Sequence, residues 1–259
     1  TSNSLREPST AEGLHAALME HQVLVLPNFP IDADALARLG RSLGPVANNH
    51  HLYRTHLDNP DVVVLEWGGD QRPDAAEWHS DMTYLPAPPF ASVLQAVEIP
   101  PSGGDTLWAS MYSVLEAVPA GLRTELEELS AVHDFGAFRT PAYRDGGNDA
   151  LNSALFATGS AVHPVVAIHP FTKRPYLNVS ESFTRFVVGF SAPESARLLG
   201  SLFDLINRPE HHFRLRWEPG TVAIWDNRGT QHYAVDDYLP HRRLMHRVAV
   251  TTDARSNSD

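Results

Sequence analysis

His79 and Asp81 stand two residues apart in "EWHSDMTY", residues 77–84, between Trp78 and Tyr84. On an extended segment that spacing turns both side chains to one face, so an imidazole and a carboxylate can converge on one point. Two arrangements use such a pair: a metal site, or an aspartate that orients a structural histidine. A third ligand far downstream favours the first. "WDNRGTQHYAV" offers His232, just beyond the apolar stretch "TVAIWDN". Two histidines and one carboxylate hold three positions on iron(II) and leave three open for other ligands.

"LPHRRLMHRVAV" follows, with Arg243 and Arg247 four apart in a segment rich in apolar residues. Strand positions of equal parity face one side, which sends both guanidiniums into the same cavity. Buried arginines need anionic partners, because an unpaired buried charge is too costly. Two surface arginines on an edge strand are the plainer alternative. Beside three metal ligands, they suggest a metal site serving two anionic organic ligands.

The elements that must hold these residues are legible in outline. "STAEGLHAALMEH" and "IDADALARLGRSLG" read as helices; Asp32 caps the second, Leu36, Leu39 and Leu43 form its stripe, and Gly44 ends it. "QVLVLPN" reads as a buried strand, and "DVVVLEW", "FASVLQAVEI", "RPYLNVSE", "GTVAIWDN" and "RRLMHRVAVTT" as further strands. "YSVLEAVPAGLRTELEELSAVHDF" reads as helical on both sides of a Pro-Ala-Gly break, and "SAPESARLLGSLFDLINRP" as a helix capped by Ser191. Residues 139–162, with "RDGGND" and few periodic apolar positions, read as a long loop and an active-site lid. With no repeat and no composition shift, residues 1–259 read as a single α+β domain: a double-sheet jelly-roll core with flanking helices.

Composition bounds the function. The formal net charge of −11 argues against a nucleic-acid surface, and no apolar run approaches a membrane span. The chain has no cysteine, which excludes disulfides and thiolate metal sites and suits a cytoplasmic setting. "TSNSLREPST" lacks the pattern of a signal peptide. Fourteen histidines make any lone one uninformative, so partners must decide. Homo-oligomerisation is left open.

"WHSDMTY", "PPSGGDTLWAS" and "WDNRGTQHYAVDDYLPHRRLMHRV" together resemble the taurine dioxygenase branch of the iron(II)/2-oxoglutarate-dependent dioxygenases, with a likeness running from about residue 10 to 252. The resemblance implies a double-stranded β-helix (cupin-like) core, with iron(II) bound by His79, Asp81 and His232. It implies that Arg243 and Thr106 hold the far carboxylate of 2-oxoglutarate. Around a small anionic organic substrate, a sulfonate such as taurine or a related alkylsulfonate, it places His50, Tyr53 and Arg247 at the anion and Phe138 and Phe183 in the walls. Ala75 and Ala137 stand where the family has asparagine and serine, which suits a longer or less polar substrate than taurine. The implied reaction consumes dioxygen and 2-oxoglutarate, releases succinate and carbon dioxide, and hydroxylates a C–H bond next to sulfur, so that sulfite leaves. Alkyl sulfate esters and aryloxyalkanoates are the alternative substrates. A zinc hydrolase built on the same three ligands leaves Arg243 and Thr106 without a role; a non-catalytic anion-binding jelly roll leaves the metal without one.

Overall fold

Period-two burial in the strand Arg243–Val250 sorts its side chains to two faces, and the rest of the molecule is arranged about those faces. The structure, a computed structural model, describes residues 8–46, 53–71, 73, 76–135 and 159–251. Five strands, β1 (Val23–Leu26), β2 (Val63–Trp67), β3 (Ala91–Glu98), β11 (Val222–Asp226) and β13 (Arg243–Val250), form an antiparallel sheet in the order β1-β11-β3-β13-β2.

The outer face of this sheet carries Val93, Val222, Ile224, Val248 and Val250. Helices α1 (Pro8–His21) and α2 (Ala33–Leu43) cover it through Leu18, Leu36, Leu39 and Leu43, each about 1% exposed or less. Burying each leucine is worth roughly 1.5–3 kcal/mol. Asp32 begins α2 as expected, accepting the Ala35 N–H at 2.7 Å, and Gly44 closes it. The expected burial of β1 is only half realised: all four of its residues are partly exposed, because it is an edge strand.

The inner face carries Leu65, Leu94, Ala223, Trp225 and Met245, packed against Trp108 and Trp217. Trp108 belongs to a second antiparallel sheet built from β4 (Thr106–Ser110), β10 (His212–Leu215) and β12 (Thr230–Ala234), in the order β10-β4-β12. β11 and β12 are joined by the short link "NRG" yet belong to different sheets, so the chain crosses from one to the other at the motif that carries Asn227 and His232.

A further sheet uses β5 (Ser130–Asp134), β6 (Ser160–Pro164) and β9 (Thr184–Val187) in the order β6-β5-β9, while β7 (Val166–Ile168) pairs with β8 (Pro175–Leu177). Helices α3 (Met111–Ala117), α4 (Ala120–Glu127) and α5 (Ala192–Ile206) close another core around Leu115, Leu126, Leu177, Val187 and Leu202. Glu194 answers the Ser191 backbone N–H at 3.0 Å, so α5 starts where its capping residue predicts.

Two expectations are corrected here. The helix read through "SAVHDF" ends at Glu127; Ser130–Asp134 alternates in burial and pairs on both edges, so β5 is a strand. Its period-two pattern is hidden behind the helix-forming run "LRTELEEL". The long loop read over residues 139–162 ends earlier than expected, because Ser160–Pro164 pairs with β5 as β6; residues 139–158 lie outside the described residues.

Candidate active site

His79 and His232 are locked together by backbone before their side chains are considered. His79 N donates to His232 O at 3.1 Å, and His232 N donates to His79 O at 2.8 Å. This single β-bridge puts the imidazoles side by side, with ring centroids 4.1 Å apart. Asp81 then enters a turn in which Met82 adopts φ 57°, and its carboxylate swings toward both rings. Oδ1 of Asp81 lies 4.0 Å from His79 Nε2 and 3.8 Å from His232 Nε2. One ligand atom from each residue falls within 4.8 Å of the others, and all three residues are buried. Among the described residues this is the one His/Asp/Glu cluster able to hold a metal ion.

The two imidazoles are held differently. His79 Nδ1 donates to the Glu77 carbonyl at 2.8 Å, which sets the tautomer that leaves Nε2 free for a metal. Among the described residues His232 Nδ1 has no hydrogen-bond partner; Trp225, 4.9 Å between centroids, packs against its ring instead. Burial, with His79 adding to it, pushes His232 down to about 3, so its ring is a neutral imidazole at physiological pH, the form that binds a metal.

Asp81 is gripped on every polar atom. Ser92 Oγ donates to Oδ2 at 2.7 Å, and Arg247 Nη1 donates to Oδ1 at 3.0 Å. Its backbone N–H donates to Asn227 Oδ1 at 2.7 Å, while Asn227 Nδ2 donates back to the Asp81 carbonyl at 3.0 Å. Burial opposes ionisation of this carboxyl, but Arg247, His232, His79 and the Ser92 hydroxyl outweigh it and hold it well below the usual carboxylate range. The group is therefore a fixed anion. Ser92 and Asn227 are absent from the sequence reading. Ser92 is detectable as a lone hydroxyl on the inner parity of an apolar strand; Asn227 is visible in "WDN", but nothing there assigns it a partner.

Arg243 and Arg247 both face the inner side of β13, at 4% and 7% exposure, as their spacing predicts. Both line the cavity over the histidines, together with Thr106, Tyr53, Phe183 and Trp67. Burial draws Arg243 down to about 10, which leaves it cationic at neutral pH. Its Nε donates to the Gly104 carbonyl at 3.1 Å, and Asp237 accepts the Gly104 N–H at 2.8 Å. "SGGDT" thus turns an ordinary-looking loop into a clamp on Arg243: Gly103 and Gly104 sit at φ 75° and 72°, and a Cβ on Gly104 would lie 3.2 Å from Arg243 Cδ.

Leu65, Leu94, Met82 and Phe135 complete an apolar wall. Phe135, ring-stacked at 6.4 Å on Phe183, is a wall residue that the sequence motifs do not single out. Phe138 and His50, expected at the pocket, lie outside the described residues, as do Ala75 and Ala137.

The family model for "Taurine catabolism dioxygenase TauD, TfdA family" matches residues 1–249. The chain belongs to this family. The dioxygenase is 35% identical to an alpha-ketoglutarate-dependent sulfate ester dioxygenase of Pseudomonas putida, over 94% of this chain and 81% of that protein. It is 32% identical to an alkylsulfatase of Acinetobacter baylyi, over 97% and 80%. The crystal structure of a taurine dioxygenase from Burkholderia xenovorans matches the dioxygenase with a TM-score of 0.80 and 31% identity, covering 95% of this chain and 81% of that one. The dioxygenase is accordingly an oxidoreductase that uses iron(II) and 2-oxoglutarate. Two imidazoles and a carboxylate at one point, with two cations beside them, fit that pair of ligands. Among the described residues, no helix is long and apolar enough to cross a membrane.

Proposed function

We propose that the chain is a single dioxygenase domain with a jelly-roll core that hydroxylates a small organic sulfonate at the carbon bearing sulfur. His79, Asp81 and His232 hold iron(II). Arg243 and Thr106 take the far carboxylate of 2-oxoglutarate, and Arg247 with Tyr53 takes the anionic head of the substrate. The observation that carries this reading is that two buried guanidiniums on one face of β13 open into the cavity over the His–Asp–His cluster.

Bound iron(II) and 2-oxoglutarate supply the oxidising chemistry: dioxygen gives one oxygen atom to succinate, released with carbon dioxide, and the other to a substrate C–H bond. The chain supplies placement and dryness. Arg243, fixed through Gly104, presents its remaining N–H groups to a carboxylate. Arg247 holds the anionic head at a set distance from the cluster, and Phe183, Leu65 and Leu94 exclude water from the rest of the substrate. The hydroxylated carbon then loses sulfite as its C–S bond breaks and an aldehyde forms.

A second reading, an alkyl sulfate ester, is favoured by the apolar wall of Leu65, Met82, Leu94 and Phe135 and by the names of the two relatives. Hydroxylation at the ester carbon breaks its C–O bond, giving an aldehyde and sulfate.

Protein loaded with iron(II) and 2-oxoglutarate under argon should show a weak visible charge-transfer band, and Asp81→Ala should abolish it. Succinate formation and oxygen uptake are then measured with alkylsulfonates, alkyl sulfates and aryloxyalkanoates. Sulfite release from a sulfonate supports the main reading, and sulfate release the second. An unchanged band in Asp81→Ala removes the metal assignment.

A further inference from the structure

Thr106 is 2% exposed and lines the same cavity as Arg243. A threonine hydroxyl can accept hydrogen bonds and donate one, and its single proton goes wherever its neighbours leave room. Here one neighbour decides. Trp217 Nε1 lies 2.9 Å from Thr106 Oγ1. An indole nitrogen only donates, so Thr106 must be the acceptor in this bond. Its own proton is thereby directed away from Trp217.

Trp217 is 3% exposed and packed in the inner core against Trp108, with ring centroids 6.4 Å apart. It is not among the residues that line the cavity. A buried indole N–H needs an acceptor, and Trp217 takes the hydroxyl of Thr106, which lines the same cavity as the buried Arg243.

We propose that Trp217 is a positioning residue for the cosubstrate: its N–H occupies an acceptor lobe of Thr106 and so presents the Thr106 hydroxyl proton to the far carboxylate of 2-oxoglutarate. The inference rests on the reading that Thr106 and Arg243 hold that carboxylate. It adds the reason why the hydroxyl arrives as a donor. A carboxylate accepts only, so a hydroxyl already pointed toward it binds without first having to reorient. The two donors to the carboxylate are then both fixed from behind, Arg243 by the Gly104 carbonyl and Thr106 by Trp217.

The test is a double-mutant cycle on manganese(II)-loaded protein, with binding of N-oxalylglycine, an unreactive analogue that keeps both carboxylates, measured by calorimetry. Thr106→Val should weaken binding about 10- to 100-fold, as expected for a lost hydrogen bond to a charged group. Trp217→Phe, which keeps the packing but has no N–H, should weaken it about three- to tenfold. In the Thr106→Val background Trp217→Phe should change binding less than about twofold, because the hydroxyl it acts through is gone. Manganese affinity should stay the same in both single variants. With the natural cosubstrate, Trp217→Phe should raise the 2-oxoglutarate KM and leave kcat nearly unchanged.

Binding unaffected by Thr106→Val overturns the assignment of Thr106, and this inference with it. Weakening by Thr106→Val without weakening by Trp217→Phe overturns the inference alone. Equal weakening by Trp217→Phe in both backgrounds assigns its effect to packing and also overturns it. Should Trp217→Phe fail to fold, benzothienylalanine at position 217 keeps the indole shape without the N–H and replaces Phe in the same cycle.

Discussion

Arg247 Nη1 donates at 3.0 Å to Asp81 Oδ1, the same carboxylate oxygen that faces Nε2 of both His79 and His232. One guanidinium therefore neutralises a carboxylate proposed to bind the metal and borders the space assigned to the substrate's anion. The two arginines of β13 are not equivalent: Arg243 is anchored on a backbone carbonyl, Arg247 on the ligand cluster itself.

Arg247→Ala leaves a buried carboxylate without its counter-ion. Breaking such a pair costs about 3–5 kcal/mol, so the metal-free variant should melt well below wild type. Added zinc(II) or manganese(II) supplies the missing positive charge and should raise the variant's melting temperature more than it raises that of wild type. The substrate KM should also rise. Thermal melts with and without metal decide it: equal metal-induced shifts in the two proteins would show that Arg247 does not compensate Asp81.

Arg243→Ala should raise the 2-oxoglutarate concentration needed to form the anaerobic visible band by about 10- to 150-fold, the worth of a charge-assisted contact. Gly104→Ala should act in the same direction, because its Cβ would press on Arg243 at a backbone φ of 72°. It should also cost about 1 kcal/mol or more of stability. A Gly104→Ala protein with unchanged 2-oxoglutarate affinity argues against the loop as a clamp on Arg243.

Ser92→Ala and Asn227→Ala each remove a group that orients Asp81, one at the carboxylate and one at its backbone. Each should lower metal affinity about 10- to 100-fold, the usual effect of losing a partner that orients a ligand. Asn227→Ala should cost more stability than Ser92→Ala, because Nδ2 of Asn227 also holds the Pro89 carbonyl at 3.0 Å. Calorimetric titration with manganese(II), beside melts of the same samples, separates the two effects.

His133 reports on acid stability. Its Nδ1 pairs with Thr83 Oγ1 at 2.9 Å and its Nε2 approaches Thr184 Oγ1 at 3.3 Å, with His163 and Arg185 as the nearby basic groups. Burial, reinforced by His163, pushes it down to about 3 from an ordinary value of 6.5. The unfolded chain therefore binds a proton that the folded one refuses between those values. Stability from this site is complete above about pH 6.5 and is lost as the pH falls toward 3. His133→Gln should flatten the acid side of the stability profile, measured by urea melts from pH 7 to 4. An unchanged slope would place the acid sensitivity elsewhere.

Much of the site is legible in the sequence because its chemistry is concentrated in side-chain types and short spacings. The pair His79 and Asp81, the distant His232, and the equal parity of Arg243 and Arg247 need only local periodicity and charge to be noticed, whereas "SGGDT" by itself reads as an ordinary turn. The helix-capping Asp32 and Ser191 are likewise local signals. What is not legible lies across large sequence separations. Trp217 meets Thr106 from 111 residues away, Arg247 meets Asp81 from 166, and Asn227 meets Asp81 from 146. No periodicity encodes such meetings; they follow from β3, β11 and β13 lying side by side in one sheet and β4 and β12 in another. β5 escapes a local reading for a different reason: its period-two pattern follows directly on a helix-forming run, and pairing with β6 and β9 is what identifies Ser130–Asp134 as a strand. The sequence by itself determined which atoms could bind a metal and two anions. The tertiary structure decided which of those atoms are paired with each other, because a hydrogen bond has direction and reaches about 3 Å, and only the packed sheets bring donor and acceptor that close.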